Sequence, residues 1–209
     1  MKRRYEMWIG EQKSGKTHNL RRRIRVLATR RSVTSVFVCD RIGEYSDLGE
    51  RVRSFAEYVE IAADTIPRIV VFQLGPDADR YDVVFREALE LGHCAIVLDE
   101  AYEFAPSGST WRGSARLKQI VFSGRHLPNI DGDECPTHLL IAAQYPRSVD
   151  HNLWGQAYTI LSAKLRAENS RKWISGNFGD DALRRADALG EYQWTALRGS
   201  LPSLGPNRW

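Results

Sequence analysis

The sequence predicts an α/β fold of three layers, with a mostly parallel central sheet between two layers of helix. Three observations predict it. Short apolar runs alternate with longer amphipathic stretches, the pattern of strands joined by helical crossovers. Runs such as Cys94-Ala-Ile-Val-Leu98 are apolar without interruption, as strands buried on both faces of a parallel sheet must be. The chain has 209 residues, enough for one sheet covered by helices and hardly enough for two independent cores.

In chain order, strands are predicted at residues 5–9, 35–39, 68–74, 94–98, 138–143 and 158–163, with a last one at 191–196. Helices are predicted between them at 16–29, 78–91, 114–122 and 180–189. Gly75-Pro76, Pro106-Ser107-Gly108, Pro128-Asn129 and Asp131-Gly132-Asp133 mark loops. From Gly199 onward, with Pro202, Gly205 and Pro206, an irregular tail is predicted. The reading is therefore one domain over residues 1–198 and a tail over 199–209.

Composition excludes several classes. Hydrophobic residues make up 43% and charged residues 27%, which argues against disorder. The longest apolar runs, 94–98 and 139–143, hold five residues each, against about 20 for a membrane-spanning helix. Met1-Lys2-Arg3-Arg4 leads into Tyr-Glu-Met-Trp-Ile, too short and polar for a signal peptide, so a soluble intracellular protein is expected. Cys39, Cys94 and Cys135 are odd in number and form no C-x-x-C pair, which supports neither a disulfide framework nor a zinc site. Two of them lie in apolar strand-like runs and read as buried thiols. The net charge of +4, with 24 Arg and 6 Lys, is compatible with a polyanionic partner without requiring one.

The chemistry starts where the first strand meets Gly10-Glu-Gln-Lys-Ser-Gly15-Lys16-Thr17, a complete G-x-x-x-x-G-K-T opening into a helix. Glycines let the backbone curl so that its N–H groups, including those of Lys13, Ser14 and Gly15, surround phosphates at a helix N-terminus. Lys16 brings charge to the β- and γ-oxygens and Thr17 offers a hydroxyl to Mg²⁺. ATP and Mg²⁺ are the implied ligands. Apolar 94–98 ends in Asp99-Glu100. A carboxylate there reaches the C-terminal edge of the sheet, so Asp99 would hold Mg²⁺ directly or through water, and Glu100 would act as general base on the attacking water. This layout requires an additional strand between the two, and several intervene along the chain. Strand 138–143 ends in Gln144, whose amide can sense the γ-phosphate or orient water. Arg125, in Gly124-Arg125-His126, is a candidate arginine finger.

This motif set resembles the FtsK/HerA superfamily of DNA-pumping ATPases, most of all the compact branch that packages genomes into tailless icosahedral viruses with an internal membrane. The resemblance rests on Gly10 to Thr17, Asp40-Arg-Ile-Gly43-Glu44-Tyr45, Leu98-Asp99-Glu100-Ala101, Gly124-Arg125-His126 and Ala143-Gln144-Tyr145-Pro146-Arg147. Arg41-Ile42 departs from the family's commoner Pro-His. The resemblance implies a RecA/ASCE-like P-loop NTPase fold and a homo-oligomeric ring, pentameric or hexameric, that hydrolyses ATP at subunit interfaces. Such a ring would drive double-stranded DNA into a preformed capsid, working in the host cytoplasm or at the virion packaging vertex. DNA contacts do not transfer from a motif. Arg112, Arg116 and Lys118, after the loop that follows Asp99-Glu100, are the candidates for phosphate contact. Arg21-Arg22-Arg23, pointing in several directions at 100° per residue, reads as solvated surface or subunit contact.

Other classes compete. A cellular HerA-like protein or a zonula-occludens-toxin-like phage assembly ATPase would share the pattern, although the former carries further domains and the latter a transmembrane helix. A P-loop nucleotide kinase would also pair this loop with a small α/β domain, but Glu100, Gln144 and the lack of an Arg-rich lid segment speak against it. A scaffold with a vestigial P-loop would not need every catalytic residue type to be present.

Overall fold

The computed structural model describes residues 5–108, 110–123 and 136–202. Among these, eight strands form one sheet: β1 (Tyr5–Ile9), β2 (Val36–Cys39), β3 (Glu50–Val52), β4 (Ile69–Phe72), β5 (Ala95–Leu98), β6 (His138–Ala143), β7 (Thr159–Ser162) and β8 (Thr195–Arg198). Their order across the sheet is β3-β4-β2-β5-β6-β1-β7-β8, and every pairing is parallel except β7 with β8. The strand that separates β1 from β5 is β6, which follows both in sequence; the strands lying between them along the chain sit beyond β5 instead. Register sets the consequence: Ile9 pairs with Ala143 and Leu98 with Ile141, so the loops after β1, β5 and β6 emerge side by side.

Seven α-helices cover this sheet among the described residues: α1 (Lys16–Ala28), α2 (Phe55–Ala62), α3 (Asp82–Leu91), α4 (Ala115–Ser123), α5 (His151–Gly155), α6 (Glu168–Phe178) and α7 (Asp180–Asp187). Strand alternation divides the core into two faces. Trp8, Val38, Val71, Val97, Leu140 and Leu161 meet Leu20, Ile24 and Leu27 of α1. Met7, Ile9, Phe37, Phe72, Ile96 and Leu139 meet the buried faces of α2 to α7. The three-layer expectation is met.

Glu6 follows the same alternation and points at α1, where Arg23 receives it. Arg23 Nε lies 2.9 Å from Glu6 Oε2, a second nitrogen bonds Oε1, and the Arg23 side chain is fully buried. Arg23 is therefore not surface, contrary to the expectation for the Arg21-Arg22-Arg23 run: on a helix with one face against the sheet, one of three consecutive residues must turn inward. Cys39 and Cys94 are buried thiols, as expected, the Cys94 thiol donating to Gly92 O at 3.3 Å, and Cys135 lies outside the described residues.

Four elements were not predicted. Strand β3 is only three residues long, and two of them are exposed. Helix α2 is capped by Ser54, whose side chain accepts from Glu57 N while the Glu57 carboxylate accepts from Arg53 N. Helices α5 and α6 are short or largely polar, with Trp173 and Ile174 supplying the buried side of α6. The last strand begins at Thr195 rather than residue 191, because Gly190 N donates to Gln193 Oε1 at 2.8 Å and residues 190–193 form a turn. No helix among the described residues is long and apolar enough to cross a membrane.

Candidate active site

The 10–17 loop leaves β1 and closes on itself. Gly15 is the N-cap residue of α1 with φ of +87°, in the left-handed region that favours glycine. Gly10 has no room for a side chain: a Cβ there would stand 2.3 Å from Ser14 Oγ. Lys13 also has positive φ, +64°. Lys16 is 7% exposed, and its ammonium donates to Gly10 O at 2.7 Å and to Glu11 O at 3.3 Å, so its charge is held across the mouth of the loop. Ser14 Oγ is buried with no hydrogen-bond partner among the described residues.

Asp99 follows β5 and faces Thr17. Thr17 Oγ1 lies 3.2 Å from Asp99 Oδ2 and 3.1 Å from Glu44 Oε2, and its single proton serves one carboxylate at a time. The Tyr45 hydroxyl donates to Asp99 Oδ2 at 2.6 Å, and Glu100 N donates to Asp99 Oδ1 at 3.0 Å. Burial, and then the Asp99 carboxylate, raise the Tyr45 phenol well above its usual range, so it stays a donor. One hydroxyl and two carboxylates, all hard oxygen donors beside the 10–17 loop, fit Mg²⁺, which is usually held by one or two carboxylates together with water and phosphate oxygens. Among the described residues no cluster of three or more His, Cys, Asp or Glu makes a cage for a metal on its own.

What delivers Glu44 and Tyr45 is Asp40, at the end of β2 and 2% exposed. Its carboxylate accepts from Gly43 N at 2.8 Å, Glu44 N at 3.0 Å, Tyr45 N at 3.0 Å and Gln73 Nε2 at 3.0 Å. Four donors on one buried carboxylate fold residues 40–45 into a turn that aims the next two side chains at Thr17 and Asp99. The motif was visible in the sequence. The placement of Glu44 and Tyr45 in the site was not read from it.

Glu100 holds the left-handed conformation, φ +55°, which an L side chain adopts at a cost of about 1 kcal/mol or more. Its Oε2 is buried and unpartnered among the described residues. Burial pushes its carboxyl above the ordinary 4.5; Lys16 opposes that rise, and Asp99, Glu44 and Glu103 add to it. Gln144 ends β6 and donates to the Tyr145 hydroxyl at 3.3 Å. With Asp40, Tyr45, Asp99 and Glu100 it lines a cleft of about 260 Å³. A second cleft of about 490 Å³ opens on the other side of the loop, between residues 11–14, the end of β7 and residues 189–192.

The structure thus brings Gly10, Lys13, Ser14, Gly15, Lys16, Thr17, Asp99, Glu100 and Gln144 to one edge of the sheet. Arg125 lies outside the described residues. Arg112, Arg116 and Lys118 are exposed and line neither cleft, and Arg116 and Lys118 project from different sides of α4, whose Leu117, Ile120 and Val121 are buried.

A glycine-rich loop between β1 and α1, an acidic strand end on β5 and an inserted β6 define the fold as that of a P-loop NTPase with an additional strand. No family model matches the sequence. No curated protein matches it either. Solved structures do share its fold. The genome packaging NTPase B204 from Sulfolobus turreted icosahedral virus 2, in complex with AMPPCP, matches with a TM-score of 0.74 at 20% identity, over 94% of this chain and 93% of that one. The same protein in complex with ATP-gammaS matches at 0.73 and 20%, over 92% and 90%. B204, the DNA-packaging ATPase from Sulfolobus turreted icosahedral virus, matches at 0.68 and 22%, over 90% and 89%.

Proposed function

We propose that this chain is an ATP hydrolase that drives double-stranded DNA into a preformed viral capsid, working as a homo-oligomeric ring. The observation that carries the reading is the convergence of Lys16, Thr17, Asp99, Glu100 and Gln144 where the loops after β1, β5 and β6 emerge together. Likeness over nearly the whole length of both chains to NTPases described as packaging genomes supports it.

In this reading the backbone N–H groups of residues 13–17 cradle the β- and γ-phosphates, and the Lys16 ammonium exchanges its carbonyl partners for phosphate oxygens. Thr17 and Asp99 would hold Mg²⁺, with Glu44 beside them, and the ion would supply positive charge at the β- and γ-oxygens. Glu100 accepts a proton from the water that attacks the γ-phosphorus, as the bond from that phosphorus to the β–γ bridging oxygen breaks and releases ADP and phosphate. The burial that raises its carboxyl makes it a better proton acceptor. Gln144 orients the water. Arg125 of a neighbouring subunit completes the charge at the γ-phosphate, which makes turnover depend on assembly. Arg112, Arg116 and Lys118 meet DNA phosphates as point charges, without reading sequence.

The test is ATP turnover across a protein concentration series, with and without long double-stranded DNA. Turnover per subunit should rise with concentration and rise again with DNA. Turnover per subunit that is constant and indifferent to DNA would mean a monomeric P-loop enzyme, and the packaging reading would be lost.

A further inference from the structure

The 490 Å³ cleft beside the phosphate loop has a wall that the chemistry above does not use. It is the turn of residues 190–193, closed by Gly190 N on Gln193 Oε1 and by Gln193 N on Gly190 O. At its tip Tyr192 is 67% exposed and has a φ of +59°, a left-handed conformation that bulky side chains rarely take. The turn and the residue after it approach the loop closely at two points. The Tyr192 ring edge would meet a Cβ on Gly15 at 3.2 Å, and Trp194 Cη2 would meet one on Gly10 at 3.1 Å. Trp194 is itself held edge-on against Trp8 of β1, ring centroids 5.2 Å apart.

The opposite wall is fixed as well. Glu11, inside the phosphate loop, accepts from Arg166 N at 2.6 Å and Ala167 N at 2.7 Å, which binds the chain after β7 to the loop. Lys164 and Arg166 stand exposed along that wall. The cleft therefore opens from the triphosphate cradle between a cationic wall and a flat aromatic ring, both tied to the cradle itself. That ring lines the same cleft as residues 11–14 of the loop.

We infer that Tyr192 is the platform on which the base of the bound nucleoside triphosphate stacks. The inference rests on reading residues 10–17 as a triphosphate cradle. Stacking on a ring held by the loop adds affinity for any base with a π-face and leaves phosphate contacts untouched.

Calorimetric titration of the full-length chain with two probes, ATPγS and inorganic tripolyphosphate, each with Mg²⁺, tests it. Tyr192→Ala should weaken ATPγS by about 5- to 150-fold, the range that loss of one base–aromatic stack gives. Tripolyphosphate should bind unchanged, and Tyr192→Phe should match wild type with both probes. Equal weakening of both probes by Tyr192→Ala would mean the ring only supports Gly15, and unchanged ATPγS affinity would mean it touches no base; either result overturns the proposal and leaves the cradle intact. Wild-type protein that binds neither probe would remove the cradle and the proposal together.

Discussion

Tyr45 donates its hydroxyl to Asp99 Oδ2 at 2.6 Å across 54 positions of sequence, joining the loop after β2 to the loop after β5. The bond places a neutral donor on the oxygen that also faces Thr17, so the carboxylate has a fixed orientation before any ligand arrives. Tyr45→Phe removes it and leaves the shape of the side chain. A hydrogen bond to a charged group contributes about 1.5–3 kcal/mol, and at this chain length each kcal/mol shifts Tm by about 2–4 °C. Thermal melts should show a fall of roughly 3–12 °C, with a raised Mg²⁺ requirement for turnover. An unchanged melt and an unchanged Mg²⁺ requirement would show that Asp99 is oriented by other means.

Asp40 is the structural origin of that contact. Asp40→Ala orphans three buried or half-buried N–H groups and the Gln73 amide, at about 1–3 kcal/mol for each group that water cannot reach. The variant should lose Mg²⁺-dependent turnover more completely than Tyr45→Phe does. Full turnover in Asp40→Ala would mean that residues 40–45 do not shape the site.

Arg23 and Glu6 form a buried pair between the strand that enters the phosphate loop and the helix that leaves it. Removing one partner strands the other charge in the core. Arg23→Met should cost about 3–5 kcal/mol in urea unfolding, and Arg23→Met with Glu6→Leu should recover most of that. A double variant no more stable than the single one would show that the arginine's packing matters more than its charge.

The Glu100 carboxyl has a definite pH signature. Its folded pKa is raised above 4.5 by burial, so the base is lost as pH falls through the raised value, and the acidic limb of turnover should lie above pH 4.5. Glu103 adds to that rise, so Glu103→Gln should move the limb to lower pH. The stability sign runs the other way: a raised carboxyl favours folding when protonated, and that benefit is lost as pH rises through the folded pKa. Glu100→Gln should therefore melt higher than wild type at neutral pH, with the gap closing below pH 4.5. An acidic limb at or below pH 4.5 would point to a different titrating group.

Arg125 is proposed to act on a neighbour's nucleotide. Arg125→Ala and Glu100→Gln should each be nearly inactive alone, and mixing them should restore part of the turnover, because one subunit then supplies the arginine and the next the base. Full turnover by Arg125→Ala alone would end the finger assignment.

Much of the fold is legible in the amino-acid sequence. The sheet strands announced themselves because burial on both faces leaves few polar residues, as in 94–98 and 138–143. The G-x-x-x-x-G-K-T loop and Asp99-Glu100 are legible because their residue types stand at fixed spacing right after an apolar strand, and both reach the same edge of the sheet. Pairwise geometry was hidden. Nothing in the string shows that Arg23 meets Glu6, that Tyr45 reaches Asp99, or that Glu100 takes a left-handed backbone. These depend on which face of α1 turns inward and on how Asp40 curls its loop. Short or polar elements such as β3 and α6 escape the pattern because their periodicity is carried by one or two buried apolar residues, Val52 in β3 and Trp173 and Ile174 in α6. Tyr192 fell inside a predicted strand, and only the turn closed by Gln193 brings its ring to the phosphate loop.

The most direct test of the central claim compares wild type with Glu100→Gln for ATP bound and phosphate released on the same samples. Wild type should bind ATP and release phosphate, whereas Glu100→Gln should hold ATP with comparable or tighter affinity and release almost none. Phosphate release by Glu100→Gln at the wild-type rate would contradict the account, since the water would then be activated somewhere other than the site formed by β1, β5 and β6.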